Sequence, residues 1–493
     1  MSRLYGKIRV LDDREMRLMH EGSLQILERA GVKIYHPGAR EYLREAGCRV
    51  DEPSRVVRFP AGLVEDAVER LRGGFRSPER QGLRQAVRFT ESSYYVREDS
   101  LQHDFTVNSG GFNAFILDLD CQRRPSTLKD VHDSIKLVNA LDEITWSGLP
   151  CSDQETPHPL RPVKMAAELV KYTKKIGGVE TWTALDVQYL EEIAVVVRGS
   201  REELLRRPCL VGYGESRTPL TIDENMAEIF IEYVRRGLPQ SLDTMPSAGT
   251  TAPATGAGTL ALGLAETLAG LTLGYAVRRD AVLSLDCTAG YCDMKNLIFP
   301  YAGADRMPLI GAWIQMLREF YGITAGAHGG KTNSCYPGFQ AGMEKAHSLL
   351  FPLLCGASGV GTIGQLEFGI TYSPLQLVLD CEAVRATRRI MRGFEVTPET
   401  LCLDLIEKVG PEGNFITEPH TADHFQEEFW LSDLTECLPW EAFSAKEGRG
   451  MEKAAEEKAR SAMAGPLEPV LSDQQVTEID RIVAHARKEV ESA

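Results

Sequence analysis

The sequence lacks the signatures of several large enzyme classes. It has no P-loop, no His-Glu-x-x-His run, and no Gly-x-Gly-x-x-Gly turn after a first strand. Nucleotide-phosphate, zinc-protease and dinucleotide chemistry therefore have no anchor here. No Cys-x-x-Cys pair occurs among the 11 cysteines, which scatter from Cys48 to Cys437. An odd, scattered set fits reduced thiols in a cytoplasmic protein better than a disulfide framework. Basic residues are in deficit: 55 Lys and Arg against 70 Asp and Glu leave a formal charge of −15. Nucleic acid and anionic membrane both need a basic footprint, so neither is expected as a partner. The first residues, from Met1 to Lys7, lack the apolar run of a signal peptide. The longest apolar stretch, residues 259–277, approaches membrane-span length but carries Glu266 among several Gly and Ala. It reads as a buried helix.

What is present is a large apolar content, 43% of residues, with strong periodicity. Residues 1–100 read as a mainly helical cap, with apolar residues at helical spacing over 12–30 and further helices over 38–46 and 60–71. From about residue 104 a strand, a glycine or polar tip and a helix alternate. Eight strands are expected at 105–109, 144–147, 178–182, 209–213, 240–244, 281–287, 323–328 and 359–363. Helices between them include 127–140, 159–174, 186–198, 222–235 and 374–392. Strands alternating with helices imply a parallel sheet, and eight such units over residues 101–395 imply a closed (β/α)₈ TIM barrel. Residues 396–493 read as a helical extension, with helices over 451–464 and 473–490 and an aromatic-rich stretch over 425–440 that packs on the barrel or on another subunit.

In a parallel barrel the strand carboxyl ends face the active site. The mouth residues expected to bind substrate are therefore Phe112, Trp182, Tyr213, Glu215, Asp243, Asp286, His328, Lys331, Tyr336, Glu367, Phe368 and Tyr372. Aromatic faces mixed with carboxylates suit a cationic, alkylated ligand, because ring faces attract a quaternary ammonium at about 0.5–2 kcal/mol per contact. Large aromatics are also common core fillers, so the list is wider than the site. No metal site is expected: His328 has no partner at ligand spacing, and His420 and His424 lie in the tail without the zinc-protease Glu. No catalytic residue is assigned.

Several stretches resemble the trimethylamine methyltransferase family, in the branch that lacks pyrrolysine. They are Thr332-Asn333-Ser334-Cys335-Tyr336-Pro337-Gly338-Phe339-Gln340-Ala341-Gly342, Leu375 to Glu382, Val409 to Phe415 with His420-Thr421, and Leu117-Asp118 followed by Arg123-Arg124-Pro125. The resemblance runs from about Leu11 to the C-terminus. It implies a methyltransferase that moves a methyl group from a quaternary amine, such as glycine betaine, proline betaine or carnitine, to cobalt(I) of a cognate corrinoid (cobalamin) protein. No corrinoid would be tightly bound by this chain, and a homo-oligomer is expected. Founding members carry pyrrolysine where this chain has Cys335, or Ser334 or Tyr336 beside it. The family usually has Asp-Ala-Gln-Ala-Gly where this chain has Gly338-Phe339-Gln340-Ala341-Gly342, so substrate identity does not transfer directly. The alternatives are a non-catalytic barrel that binds a quaternary amine, and an unrelated barrel hydrolase or lyase using His328 and Glu367.

Overall fold

The computed structural model describes residues 3–76, 105–212, 214–445 and 450–492. Tyr213 and the end of the expected cap, residues 77–100, lie outside them.

The N-terminal region opens with the helix Asp13–Arg29, which starts on a reciprocal capping box between Asp12 and Glu15. It stops where Gly31 takes a φ of 73°. The helices Pro37–Glu45 and Ala61–Arg76 follow. Three short strands, Val32–Ile34, Arg49–Asp51 and Val56–Arg58, add a sheet to a region expected to be mainly helical. That sheet pairs in parallel with Thr221–Ile222, far along the chain, and so ties the region to the rest of the molecule.

Beyond it the protein is mixed α/β with parallel strands. One ladder runs Gly326–His328, Gly359–Ile363, Thr106–Ser109, Trp146–Ser147, and continues by a parallel bridge from Ser147 to Ile176. A second pairs Gly214–Glu215 with Leu242–Asp243 and bridges Gln240 to Leu283. The expected strands at 178–182 and 281–287, and the described residues 209–212 of the one at 209–213, are thus irregular, with a single bridge at Leu283. One cause is visible between the third and fourth segments. Gly212 N–H donates to the buried Tyr233 hydroxyl at 3.0 Å, and Gly212 O accepts from Gln240 Nε2 at 2.8 Å. Side chains occupy the groups that a ladder would use.

The alternation that strands require is nonetheless kept. Val282, Ser284 and Asp286 retain accessible surface, while Ala281, Leu283, Leu285 and Cys287 are buried. Thr324, Gly326 and His328 alternate in the same way with Ile323, Ala325 and Ala327. One face of each segment lies under helices and the other opens on a shared interior.

The helix Gly256–Val277 is long and apolar enough to cross a membrane, yet 78% of its most apolar window is buried. It packs on the N-terminal helices and on Glu224–Arg236. Its Glu266 accepts from Thr218 Oγ1 at 2.8 Å, from Leu220 N at 2.5 Å and from Thr244 Oγ1. A carboxylate so deep is tolerable only with donors around it.

Candidate active site

A cavity of about 160 Å³ collects residues from all eight expected strand segments. Asn108 and Phe112 come from the first, Trp146 from the second and Gly178 from the third. Gly212, Asp243, Asp286, His328 and Thr362 complete the circuit. Phe112 is placed by an unusual turn: Gly110 and Gly111 hold φ of 154° and 123°, and Phe112 itself 51°. A Cβ on Gly111 would overlap Gln365 Nε2, which donates to Gly110 O at 2.7 Å, so only glycine fits there. Asn108 is 6% exposed, and its Oδ1 has no hydrogen-bond partner.

The electrostatics are those of a walled interior. Burial pushes the Asp286 carboxyl up to about 6, the negative Glu215 adds to the shift, and the Cys287 N–H at 2.7 Å opposes it. Glu215 reaches solvent at the rim but is ringed by protein. Burial raises it too, against the pull of Lys331. Lys331 is forced down to about 7 by burial and by Arg306, with its Nζ 3.8 Å from the centre of the Tyr301 ring. His328, buried near Lys331 and Arg306, falls well below its usual value and is neutral at pH 7. Its accessible surface opens on the cavity, not on bulk water.

Of the expected mouth residues, Phe112, Asp243, Asp286 and His328 line the cavity, and Glu215 and Lys331 sit within electrostatic reach of it. Tyr213 lies outside the described residues, and the other five lie elsewhere. Trp182 stacks on His158 at 4.0 Å. Tyr336 is 67% exposed. Glu367 pairs with Arg123 at 2.7 Å, and Phe368 follows it in the same turn. Tyr372 is 1% exposed, near Cys151 and Cys381 rather than the cavity. Ser334 is buried and donates to Tyr336 O at 2.8 Å, while Cys335 is exposed. None of these three lines the cavity.

Two residues escaped the sequence reading. Arg306 is 2% exposed, donating to Ala289 O at 3.0 Å and to Tyr301 O at 2.8 Å. It heads the apolar helix Arg306–Gln315, whose lone charge was the available signal. Glu180 stands two residues beyond Gly178, on the same side of that segment, and burial pushes its carboxyl up to about 7. Period two alone would have pointed to it.

The segment leading to the rim is clamped from behind. Glu344 Oε2 accepts from Thr332 Oγ1 at 2.5 Å and from Asn333 N at 2.7 Å.

The sequence has relatives of known activity. A glycine betaine methyltransferase of Desulfitobacterium hafniense (strain Y51) is 29% identical over 392 residues, covering 78% of this chain and 81% of that protein. Trimethylamine methyltransferase MttB of Desulfitobacterium hafniense (strain DSM 10664 / DCB-2) is 28% identical over 400 residues, covering 80% of this chain and 78% of that protein. Among solved structures, the hydroxylamine MtmB complex aligns over 93% of this chain and 95% of its own, with a TM-score of 0.41 and 12% identity. The family model for trimethylamine methyltransferase (MTTB) matches residues 1–491. The chain is a methyltransferase and belongs to that family.

Proposed function

We propose that this methyltransferase takes a methyl group from a quaternary amine, of the glycine betaine, proline betaine or carnitine kind, and passes it to cobalt(I) of a separate corrinoid protein in the cytoplasm. The observation that carries the reading is the cavity wall, where Asp243 and Asp286 stand with Phe112 and Trp146. Carboxylates and ring faces together bind a cation that offers no hydrogen for bonding. Because all eight segments reach one interior, the fold is read as a closed barrel between a cap over 1–100 and an extension over 396–493.

The corrinoid is a co-substrate, and it supplies the nucleophile. A quaternary ammonium leaves as a neutral tertiary amine, so no general acid is required. The tasks of this chain are to bind, to align and to exclude water. Asp286 and Asp243 hold the ammonium. Neutral His328 leaves the wall free of a competing positive charge, and Lys331 with Arg306 sets a positive side for a betaine carboxylate. The exposed apolar rim of Tyr336, Phe339 and Met343 suits the docking of a protein partner.

The extension suits contact with a second copy of this chain. Twelve large apolar residues between Phe394 and Trp440 are 39–81% exposed. That is on the order of 1,000 Å², against about 800 Å² per partner for a standard interface.

The test is direct. The protein is mixed with a cobalt(I) corrinoid protein and a panel of quaternary amines, and the methylcobalt absorbance is followed. Formation with at least one of them is expected. No methylcobalt from any methylated amine would overturn the reading.

A further inference from the structure

A second cavity, of about 250 Å³, lies between the helices Phe339–Cys355 and Pro374–Arg392 and the returning tail. Leu379 and Ala383 form an apolar wall, and Trp430, Met451 and Glu452 of the tail close over it. The floor is polar and almost wholly buried. Lys345 Nζ donates to Asp380 Oδ2 at 2.6 Å and to Gly330 O at 2.7 Å. Gly364 N donates to the same Oδ2, and Gln376 Nε2 to Asp380 Oδ1, both at 2.7 Å. Gln376 is 3% exposed, and its Oε1 has no hydrogen-bond partner. A buried amide oxygen left without a donor is a standing cost that a ligand can relieve.

The charges around the cavity have a sign. Lys345 and Asp380 neutralise each other, and Glu382 is held by Arg385 and the Ser432 hydroxyl. Glu452 stands exposed at the edge of the cavity. The cavity therefore combines an orphaned acceptor, a carboxylate, an indole and an apolar wall. We propose that it is a second binding site, separate from the mouth, for a small protonated alkylamine that keeps at least one N–H. The N–H satisfies Gln376 Oε1, the alkyl groups lie on Leu379 and Ala383, and the positive charge faces Trp430 and Glu452. A quaternary ammonium carries no N–H and leaves the acceptor unmet. The class selected is the one that demethylation of a quaternary ammonium releases, a link that rests on the function proposed above. Lys345 also holds Gly330, the neighbour of Lys331, so an occupant of this cavity leans on the same ion pair that secures the mouth segment.

The test uses the full chain without any corrinoid. Trimethylammonium and tetramethylammonium chloride are titrated by calorimetry and by tryptophan fluorescence. Trimethylammonium is expected to bind saturably and about tenfold or more tighter than tetramethylammonium. Gln376→Leu, and Ala383→Leu that narrows the cavity while leaving the polar floor in place, should each weaken it about tenfold. All titrations are made in the Asp286→Asn background, which removes most cation binding at the mouth, so that the signal reports this cavity. If Gln376→Leu fails to fold, Ala383→Leu still decides. Equal binding of the two cations in that background, or binding untouched by the cavity variants, overturns the proposal. No methyl acceptor is present, so failure here leaves the transfer reading standing, and absence of methyl transfer leaves this binding measurable.

Discussion

The cavity wall and the segment over residues 394–445 use charge in opposite ways. Around the cavity few ionisable groups are present, all but Glu215 are enclosed, and Asp286, Glu180, Lys331 and His328 are all moved from their ordinary values by burial. The segment 394–445 carries twelve acidic residues and one lysine. Its helices Leu403–Val409, Pro419–Glu428 and Trp440–Ala445 bury no residue at all, and in the whole segment only Leu434 is buried. Enclosed charge is reactive or selective because water cannot screen it. Abundant surface charge keeps an apolar face soluble until a partner covers it.

The contrast can be broken at several points. The largest effect is expected where a buried charge loses its partner: Lys345→Met leaves Asp380 alone in a site where both side chains are 1% exposed. A loss of about 3–5 kcal/mol in denaturant unfolding is expected, with the double variant Lys345→Met/Asp380→Leu recovering most of it. Next comes Asp286→Asn, which should weaken quaternary-ammonium binding by about 10- to 100-fold in calorimetry while leaving unfolding within about 1 kcal/mol. The same carboxyl sets a pH dependence. With its value raised to about 6, it is charged above and neutral below, so affinity for the cation should fall as pH drops through about 6 and should flatten in Asp286→Asn. In the extension, Ile416→Glu with Trp440→Glu should convert a larger assembly to monomers in sedimentation, with folding stability changed by less than about 0.5 kcal/mol. Added salt should strengthen that assembly, since it screens like charges on facing copies. The smallest effect is expected from Glu399→Gln, fully exposed in the same segment, which should be silent in both assays.

The helices were legible wherever their ends carry chemistry. Pro374–Arg392 and Met451–Ala464 match their expected bounds to the residue, and the first begins on a Ser373 cap with Pro at N1. Strands were legible as alternation but not as ladders. A ladder depends on which neighbour takes each backbone group, and Tyr233 and Gln240 took those of Gly212 from elsewhere in the chain. The same limit applied to the site. Asp243, Asp286 and His328 follow from strand phase and Phe112 from the glycine turn after the first segment, whereas Tyr336 and Tyr372 lie away from the cavity. Tyr336 stands in a bend where phase is lost, and Tyr372 lies on the strand Thr371–Tyr372, whose pairing with Phe115–Leu117 and Gln365–Leu366 decides its direction. Arg306 belonged to a helix that the strand pattern left unread, and its role is visible only once Tyr301 and Ala289 surround it.

The carboxylate of Glu344 makes the rim and the helix Phe339–Cys355 one mechanical body. A protein that settles on Tyr336 and Phe339 meets no hinge between its footprint and that helix. Its load passes along a stiff rod to Lys345 and, through Gly330, to the floor of the mouth. On the function proposed above, arrival of a methyl acceptor at that rim would be felt inside the cavity as displacement, with no segment required to order or unfold.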